Sequence, residues 1–346
     1  MKNNAVKLPL SIFGRTYSKD GMIFFNWSGS GFSFEFTGTR ASAEIFAGDA
    51  LPCPEERPYI GVFTDGSAVC TARFALDSPR RIYTLTEGLP YGRHTVKIVK
   101  QTEMYYGSAA LCGIETDGEI LPILRRKKRI EFIGDSITCG YGNISSNANP
   151  DFTTAEENFS LTYAALACER LGAEPFCVAA SGNGIYHDYG LGTVNLIPEL
   201  YRYTDFVHLK DGENCEWDFY ADGADAVVIK LGQNDANYCL AVDLSEAQRT
   251  DELISGRRSE FRNRAESFLN DVRNRRPGVP IVYIIEKDML LKEEILAAAE
   301  KTGGITPLII EPKRQYEGVG ANGHWSTATH ARVSLLLSDM LLKLGF

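Results

Sequence analysis

The candidate chemistry is organised around the stretch from Ile130 to Asn143, which reads I-E-F-I-G-D-S-I-T-C-G-Y-G-N. Ile130, Phe132 and Ile133 suit a buried strand, Gly134 permits a tight turn, and Ser136 follows where a strand hands over to a helix or loop. A hydroxyl at the carboxyl end of a strand in an open α/β sheet faces the crevice where such sheets bind ligands, and nearby backbone N–H groups can stabilise an oxyanion. G-D-S alone also describes an ordinary strand-turn. Two further stretches hold the same place behind an apolar run. A-A-S-G-N-G-I-Y carries Ser181, Gly182, Asn183 and Gly184, and the Gly182 N–H could point at a reacting oxygen. L-G-Q-N-D carries Asn234 and Asp235, and an asparagine amide is a good oxyanion donor. Taken singly, each loop is more often a plain β-to-α turn. The chain has five histidines from which to draw a base. His94 falls in a β-rich region, His208 in a polar stretch, and His187 behind the second glycine loop, where it is better placed to touch substrate. His324 sits in a glycine-rich loop just before the last helical pattern, at the edge where three other loops already carry acyl-transfer parts. His330 falls about two turns further on, inside the helix, and reads as structural.

These residues need a scaffold that brings four loops to one edge. From the N-terminus to about Leu124 the texture is that of β structure. Phe32, Phe34 and Phe36 alternate with Ser33, Glu35 and Thr37, the period of a half-buried strand. Further short strands are expected at Ala41 to Phe46, Tyr59 to Thr64, Val69 to Phe74, Arg81 to Leu85 and Thr95 to Lys100, with turns at Asp65-Gly66 and Tyr91-Gly92; this pattern fits a sandwich or barrel. Beyond Asp117-Gly118 the pattern changes to alternating strands and helices. Strands are expected at Ile130 to Ile133, Pro175 to Ala179, Ala226 to Leu231, Ile281 to Ile285 and Pro307 to Ile310. Helices are expected at Phe159 to Leu171, Ser259 to Arg275 and Thr327 to Leu344. In the second of these, Phe261, Ala265, Phe268, Leu269 and Val272 recur at helical spacing; in the third, Val333, Leu336, Leu337, Met340, Leu341 and Leu344 do so. Five apolar strands, each followed by a helix, describe a three-layer α/β domain with a parallel sheet. Residues 1–124 and 125–346 are the expected domains.

The 346 residues are 44% hydrophobic and 23% charged, an ordinary globular composition, and the length favours two domains. A formal charge of -9 argues against a nucleic-acid or anionic-membrane partner. The basic run Arg125 to Arg129 is the local exception and reads as a solvated linker end. Eight cysteines are scattered singly, without C-x-x-C or zinc-ligand spacing, and read as reduced and mostly buried. The first residues lack the apolar core of a signal peptide, and no run of 18 apolar residues occurs, so a cytoplasmic location is expected unless a leader has been removed. The polar stretch Asp205 to Glu216 reads as a surface insertion.

The four blocks G-D-S-I-T, S-G-N-G, G-Q-N-D and the late His324 resemble those of the SGNH, or GDSL, hydrolase superfamily. The longer Ile130 to Asn143 string and the β-rich N-terminal region resemble the carbohydrate esterase family 2 branch. G-R-H-T-V-K-I-V-K-Q-T-E at Gly92 to Glu103, Trp217-Asp218-Phe219 and A-D-A-V-V-I support that likeness, which covers nearly the whole chain. The resemblance implies an SGNH α/β/α domain with a five-stranded parallel sheet behind a jelly-roll-like β-sandwich. It implies Ser136 as nucleophile, the Ser136 and Gly182 N–H groups with the Asn234 side chain as oxyanion hole, and His324 as general base. Asp135, Asn183, His187 and Trp325 are further candidates to contact substrate. The activity implied is removal of acetyl groups from xylo- or manno-oligosaccharides, resembling an acetyl xylan esterase, with no metal or organic cofactor. The family usually writes its last block D-W-H-P, where this chain has Asn322, Gly323, His324 and Trp325. The acid two before the histidine is thus an amide, and Ala321 stands three before it. Members of this branch resemble Ser-His dyads in which a backbone carbonyl holds the imidazole. Two rivals stay open on the sequence: an esterase of the same superfamily for lipids or thioesters, and a carbohydrate-binding protein whose catalytic block has decayed.

Overall fold

The computed structural model describes residues 4–123, 128–148, 152–190, 192–205, 207–209, 216–221, 223–245 and 251–346. The expected boundary at residues 124/125, Arg125 to Lys127 of the basic run, Cys215 and most of the polar stretch lie outside them.

The N-terminal region is a sandwich of two antiparallel sheets. One runs in the order Ser11–Phe13, Gly31–Gly38, Gly92–Lys100, Tyr59–Thr64, Ala72–Ala75, with Ile120–Leu121 also paired to Gly31–Gly38. The other runs Tyr17–Lys19, Met22–Phe24, Ala110–Thr116, Ala41–Phe46, Arg80–Thr86. Phe32, Phe34 and Phe36 are buried as their alternation predicts, and they form one core with Ile45, Val96 and Ile98. The strand expected from Val69 starts three residues later, because Ser67 to Val69 form a tight turn that leaves Val69 exposed.

The second domain carries the five expected strands: β1 (Lys128–Gly134), β2 (Ala173–Ala179), β3 (Ala226–Lys230), β4 (Ile281–Glu286) and β5 (Ile305–Ile310). All pair in parallel, in the order β2-β1-β3-β4-β5. The order reverses at β1, which is the switch point where such sheets open a ligand crevice. Seven α-helices accompany them: α1 (Ser136–Cys139), α2 (Tyr163–Leu171), α3 (Ile197–Leu200), α4 (Gln233–Ser245), α5 (Asp251–Arg275), α6 (Lys292–Thr302) and α7 (Thr327–Lys343) among the described residues. One face of the sheet packs Ile133, Ile229 and Tyr283 against Phe261, Leu269 and Ile295 of α5 and α6. The other packs Phe132, Val228 and Val282 against Tyr163, Val333 and Leu337 of α2 and α7. Helix α5 begins at Asp251, eight residues before the expected Ser259, where the sequence D-E-L-I-S-G-R-R has no apolar stripe to read. On α7 the stripe is narrower than expected, since Leu336 and Leu344 are exposed while the small Ser334 and Ser338 are buried.

The two domains share a buried joint. Arg15 of the sandwich reaches Glu131 on β1 and donates to the Tyr201 and Tyr203 carbonyls at 2.7 Å each, while Arg276 of the second domain grips Glu131 from the other side at 2.7 Å. Asp205 is not a surface residue; it is buried at this joint and accepts from Asn26 of the sandwich. Among the described residues no cysteine is in a disulfide, and five of the seven cysteines there are buried. Among the described residues, no helix is long and apolar enough to cross a membrane.

Candidate active site

Parallel register brings the loops together. Gly134 ends β1 opposite Ala179 of β2 and Lys230 of β3, so the Ser136, Ser181 and Gln233 segments leave the sheet at one edge. Asp135 caps α1 by accepting the Ile137 N–H at 3.0 Å, which sets Ser136 as the first helical residue. The Ser136 N–H at that position has no intrahelical acceptor. Gly182 takes φ of +79°, a conformation that ordinary side chains disfavour, and its loop turns into the cleft. Asn234 lies in the first turn of α4 and donates one amide hydrogen to the Asn183 carbonyl at 3.0 Å, which leaves the second for a ligand.

His324 closes the group. Its Nε2 lies 2.8 Å from Ser136 Oγ, and its Nδ1 lies 2.9 Å from the Ala321 carbonyl. A carbonyl only accepts, so Nδ1 carries the proton and Nε2 is left to accept from the serine hydroxyl. Burial holds the imidazole below its ordinary pKa, while the Ala321 carbonyl and the Asp135 charge pull it back up. The His324 imidazole is therefore neutral at neutral pH. Tyr141 packs on the imidazole with ring centroids 4.6 Å apart, and Phe152 stacks on the far face of Tyr141 at 3.8 Å. Asn322 does not face the imidazole nitrogen; its amide donates to the Tyr141 hydroxyl at 3.2 Å.

The cleft over these groups has a volume of about 490 Å³. Ser136, Gly182, Asn234, His324 and Asp135 line it, along with Gln233, Asn237, Glu286 and Lys313. Tyr189 lines it too and is 70% exposed.

Three expected substrate contacts are corrected. Trp325 reaches the cleft lining but is 2% exposed: its indole N–H donates to Glu286 at 3.2 Å and its ring packs against Tyr163 and His330, so no face is offered to a sugar. The Asn183 amide is used up on the Tyr105 hydroxyl and the Asn195 carbonyl. His187 is buried and stacked on Tyr238 at 3.5 Å, away from the cleft lining. Asp135 is 1% exposed and caps α1, with a raised pKa from burial that Lys230 opposes. His330 is structural, as its place in the helix implies: it is buried, accepts the Tyr163 N–H at 3.1 Å, and burial pushes its pKa down to about 3.

Other contributors left little trace in the sequence. The Asp235 carboxylate, with burial raising its pKa to about 6, accepts the N–H groups of Ile185, Tyr186 and His187 at 2.7–3.1 Å and so ties α4 to the second loop. Its place directly after Asn234 is the only signal for it. Among the described residues, one trio of metal-capable side chains lies together: Glu103, Cys139 and Glu157, all buried. The Lys100 ammonium interacts with both carboxylates and the Ser181 N–H occupies one Glu103 oxygen.

Residues 12–123 match the carbohydrate esterase 2 N-terminal family model, and residues 130–307 the GDSL-like lipase/acylhydrolase model. The second match stops short of His324. The chain is 28% identical over 334 residues to the cellulase/esterase CelE of Acetivibrio thermocellus, which is 92% of this chain and 38% of that protein. It is 32% identical over 191 residues to the acetylxylan esterase / glucomannan deacetylase of Cellvibrio japonicus, 53% of this chain and 50% of that protein. The chain thus spans half or less of the length of these curated relatives. Among solved structures, a family two carbohydrate esterase from Clostridium thermocellum in complex with cellohexaose superposes with a TM-score of 0.83 at 26% identity, over 97% of this chain and 99% of that one. With both family models matched in order and one architecture throughout, the chain belongs to the GDSL-like lipase/acylhydrolases and, among them, to carbohydrate esterase family 2.

Proposed function

We propose that this chain is a carbohydrate O-acetyl esterase that works through a serine acetyl-enzyme and a Ser136-His324 dyad, on acetylated xylo- or manno-oligosaccharides. The observation that carries this reading is the imidazole held between Ser136 Oγ and the Ala321 carbonyl, at 2.8 and 2.9 Å. Ser136 Oγ attacks the acetyl carbonyl and its proton passes to His324 Nε2. Oxyanion charge falls on the Ser136 and Gly182 N–H groups and the free Asn234 amide hydrogen. The imidazolium then gives its proton to the departing sugar oxygen. Water attacks the acetyl-enzyme, His324 takes the water's proton and returns it to Ser136, and acetate leaves. In place of a carboxylate, the Ala321 carbonyl dipole fixes the tautomer and the charge of Asp135 favours the cation.

Polar side chains in the lining, Gln233, Asn237, Glu286 and Lys313, offer hydrogen-bond partners to a hydroxyl-rich leaving group. An intact base geometry tells against a decayed site. The test is acetate release from acetylated xylan and glucomannan oligosaccharides, alongside p-nitrophenyl esters of increasing chain length. Acetate release with rates falling from acetate to octanoate supports the reading; rates that climb with chain length point to a lipid esterase instead.

A further inference from the structure

The cleft is built by the second domain, yet the loop that supplies one proposed oxyanion donor is gripped from the sandwich. The chain leaving the sandwich strand Gly92–Lys100 runs Gln101, Thr102, Glu103, all fully buried, then Met104 and Tyr105. Glu103 Oε2 accepts the Ser181 N–H at 2.6 Å. Two residues on, the Tyr105 hydroxyl accepts from the Asn183 amide at 3.0 Å. Ser181 and Asn183 flank Gly182, and the Asn183 carbonyl in turn holds Asn234 at 3.0 Å. Glu103 Oε2 also accepts from Cys139 Sγ at 3.8 Å, on the helix that carries Ser136. One short segment therefore touches the nucleophile's helix and both sides of the Gly182 loop.

That segment is itself fixed. The Glu103 N–H donates to Glu157 at 2.8 Å, and the buried Lys100 ammonium donates to the Thr102 and Glu103 carbonyls at 2.9 and 2.7 Å. Two buried carboxylates beside one ammonium, with Glu103 Oε1 and Glu157 Oε2 lacking hydrogen-bond partners among the described residues, are a costly arrangement for packing alone. An oxyanion hole gains its effect from donors held in place before charge develops, and small displacements of a reacting geometry are expensive.

We infer that Glu103 and Tyr105 are positioning residues for the oxyanion hole, holding Ser181 and Asn183 so that the Gly182 N–H and the Asn234 amide stay aimed at the reacting carbonyl. The inference rests on the esterase reading above. On it, the sandwich is part of the catalytic apparatus.

The test uses full-length wild type, Ser136→Ala, Glu103→Leu, Glu103→Gln and Tyr105→Phe with p-nitrophenyl acetate, each checked for folding by circular dichroism. Glu103→Leu removes the acceptor and is expected to lower kcat by about 10²-fold with KM changed by less than about threefold. Glu103→Gln keeps an acceptor oxygen and recovers most of that loss. Tyr105→Phe removes one hydroxyl from a partly exposed side chain, so it folds even if Glu103→Leu does not, and lowers kcat by about tenfold at near-constant KM. If wild type is active, Ser136→Ala is dead, and the folded Glu103 and Tyr105 variants keep wild-type kcat, the inference is overturned while the esterase reading stands. If wild type has no activity above Ser136→Ala, the reading and the inference fall together.

Discussion

At the scale of single residues, the proposed dyad relies on a backbone carbonyl for the orienting half of a carboxylate's task. Ala321 oxygen fixes which imidazole nitrogen is protonated, and the Asn322 side chain is turned away toward Tyr141. Restoring the missing acid by Asn322→Asp should therefore gain little: kcat for p-nitrophenyl acetate is expected to stay within about threefold of wild type, and a rise of an order of magnitude would show that the carbonyl is a poor substitute. Burial lowers the His324 pKa, and the proposed base acts in its neutral form, so kcat/KM is expected to rise as the imidazole loses its proton. The acidic limb of the pH profile should lie below the ordinary histidine value of about 6.5, with full activity retained at pH 7; a limb at or above that value would contradict the assignment. Ser136, Gly182, Asn234 and His324 were legible in the sequence because each is a distinctive residue type behind an apolar strand or before a helix. The Ala321 carbonyl was not, since every residue has one. Trp325 misled because an aromatic next to a catalytic histidine looks the same in sequence whether it faces solvent or Glu286.

Among the elements, the loops support one another directly. Gly142, in the turn after the nucleophile's helix, accepts the Ala321 N–H at 3.0 Å, and its φ of +57° and close approach to Ala321 leave no room for a side chain. Gly142→Ala should push the Ala321 carbonyl away from His324. The expected cost is about 1–3 kcal/mol of stability and a fall in kcat of about tenfold or more, read by thermal melting and steady-state kinetics. A variant with wild-type kcat would break the link between the two loops. The five parallel strands were readable as apolar runs bounded by glycine and polar residues. The two-stranded N-terminal hairpin Tyr17–Lys19 and Met22–Phe24 was not, because three-residue strands give too few positions for alternation to register. Nor did sequence reveal Asp235 as an anchor, as its partners are backbone N–H groups of a distant loop.

For the whole molecule, the sandwich and the α/β domain meet at the buried Arg15 joint. The Arg15 guanidinium is fully buried among Phe176, Tyr201, Trp217 and Phe219, with Glu131 as its countercharge. Arg15→Met should cost about 1–3 kcal/mol, because it removes the donor to the buried Tyr201 carbonyl while Arg276 still pairs Glu131. Urea unfolding of wild type should show a single transition by fluorescence and circular dichroism, shifted down in the variant; two separate transitions would mean that the domains are energetically independent. The pair of domains could be read from the change of texture near Asp117-Gly118, but their joint could not, since an arginine at position 15 and a glutamate on a strand have no sequence relation. The proposed reaction passes an acetyl group through Ser136. Peptide mass spectrometry of protein acid-quenched during turnover of p-nitrophenyl acetate tests this most directly. The account predicts an acetyl group on the peptide containing Ser136 in wild type and none in Ser136→Ala; turnover that persists in Ser136→Ala, or acetylation confined to another residue, would contradict it.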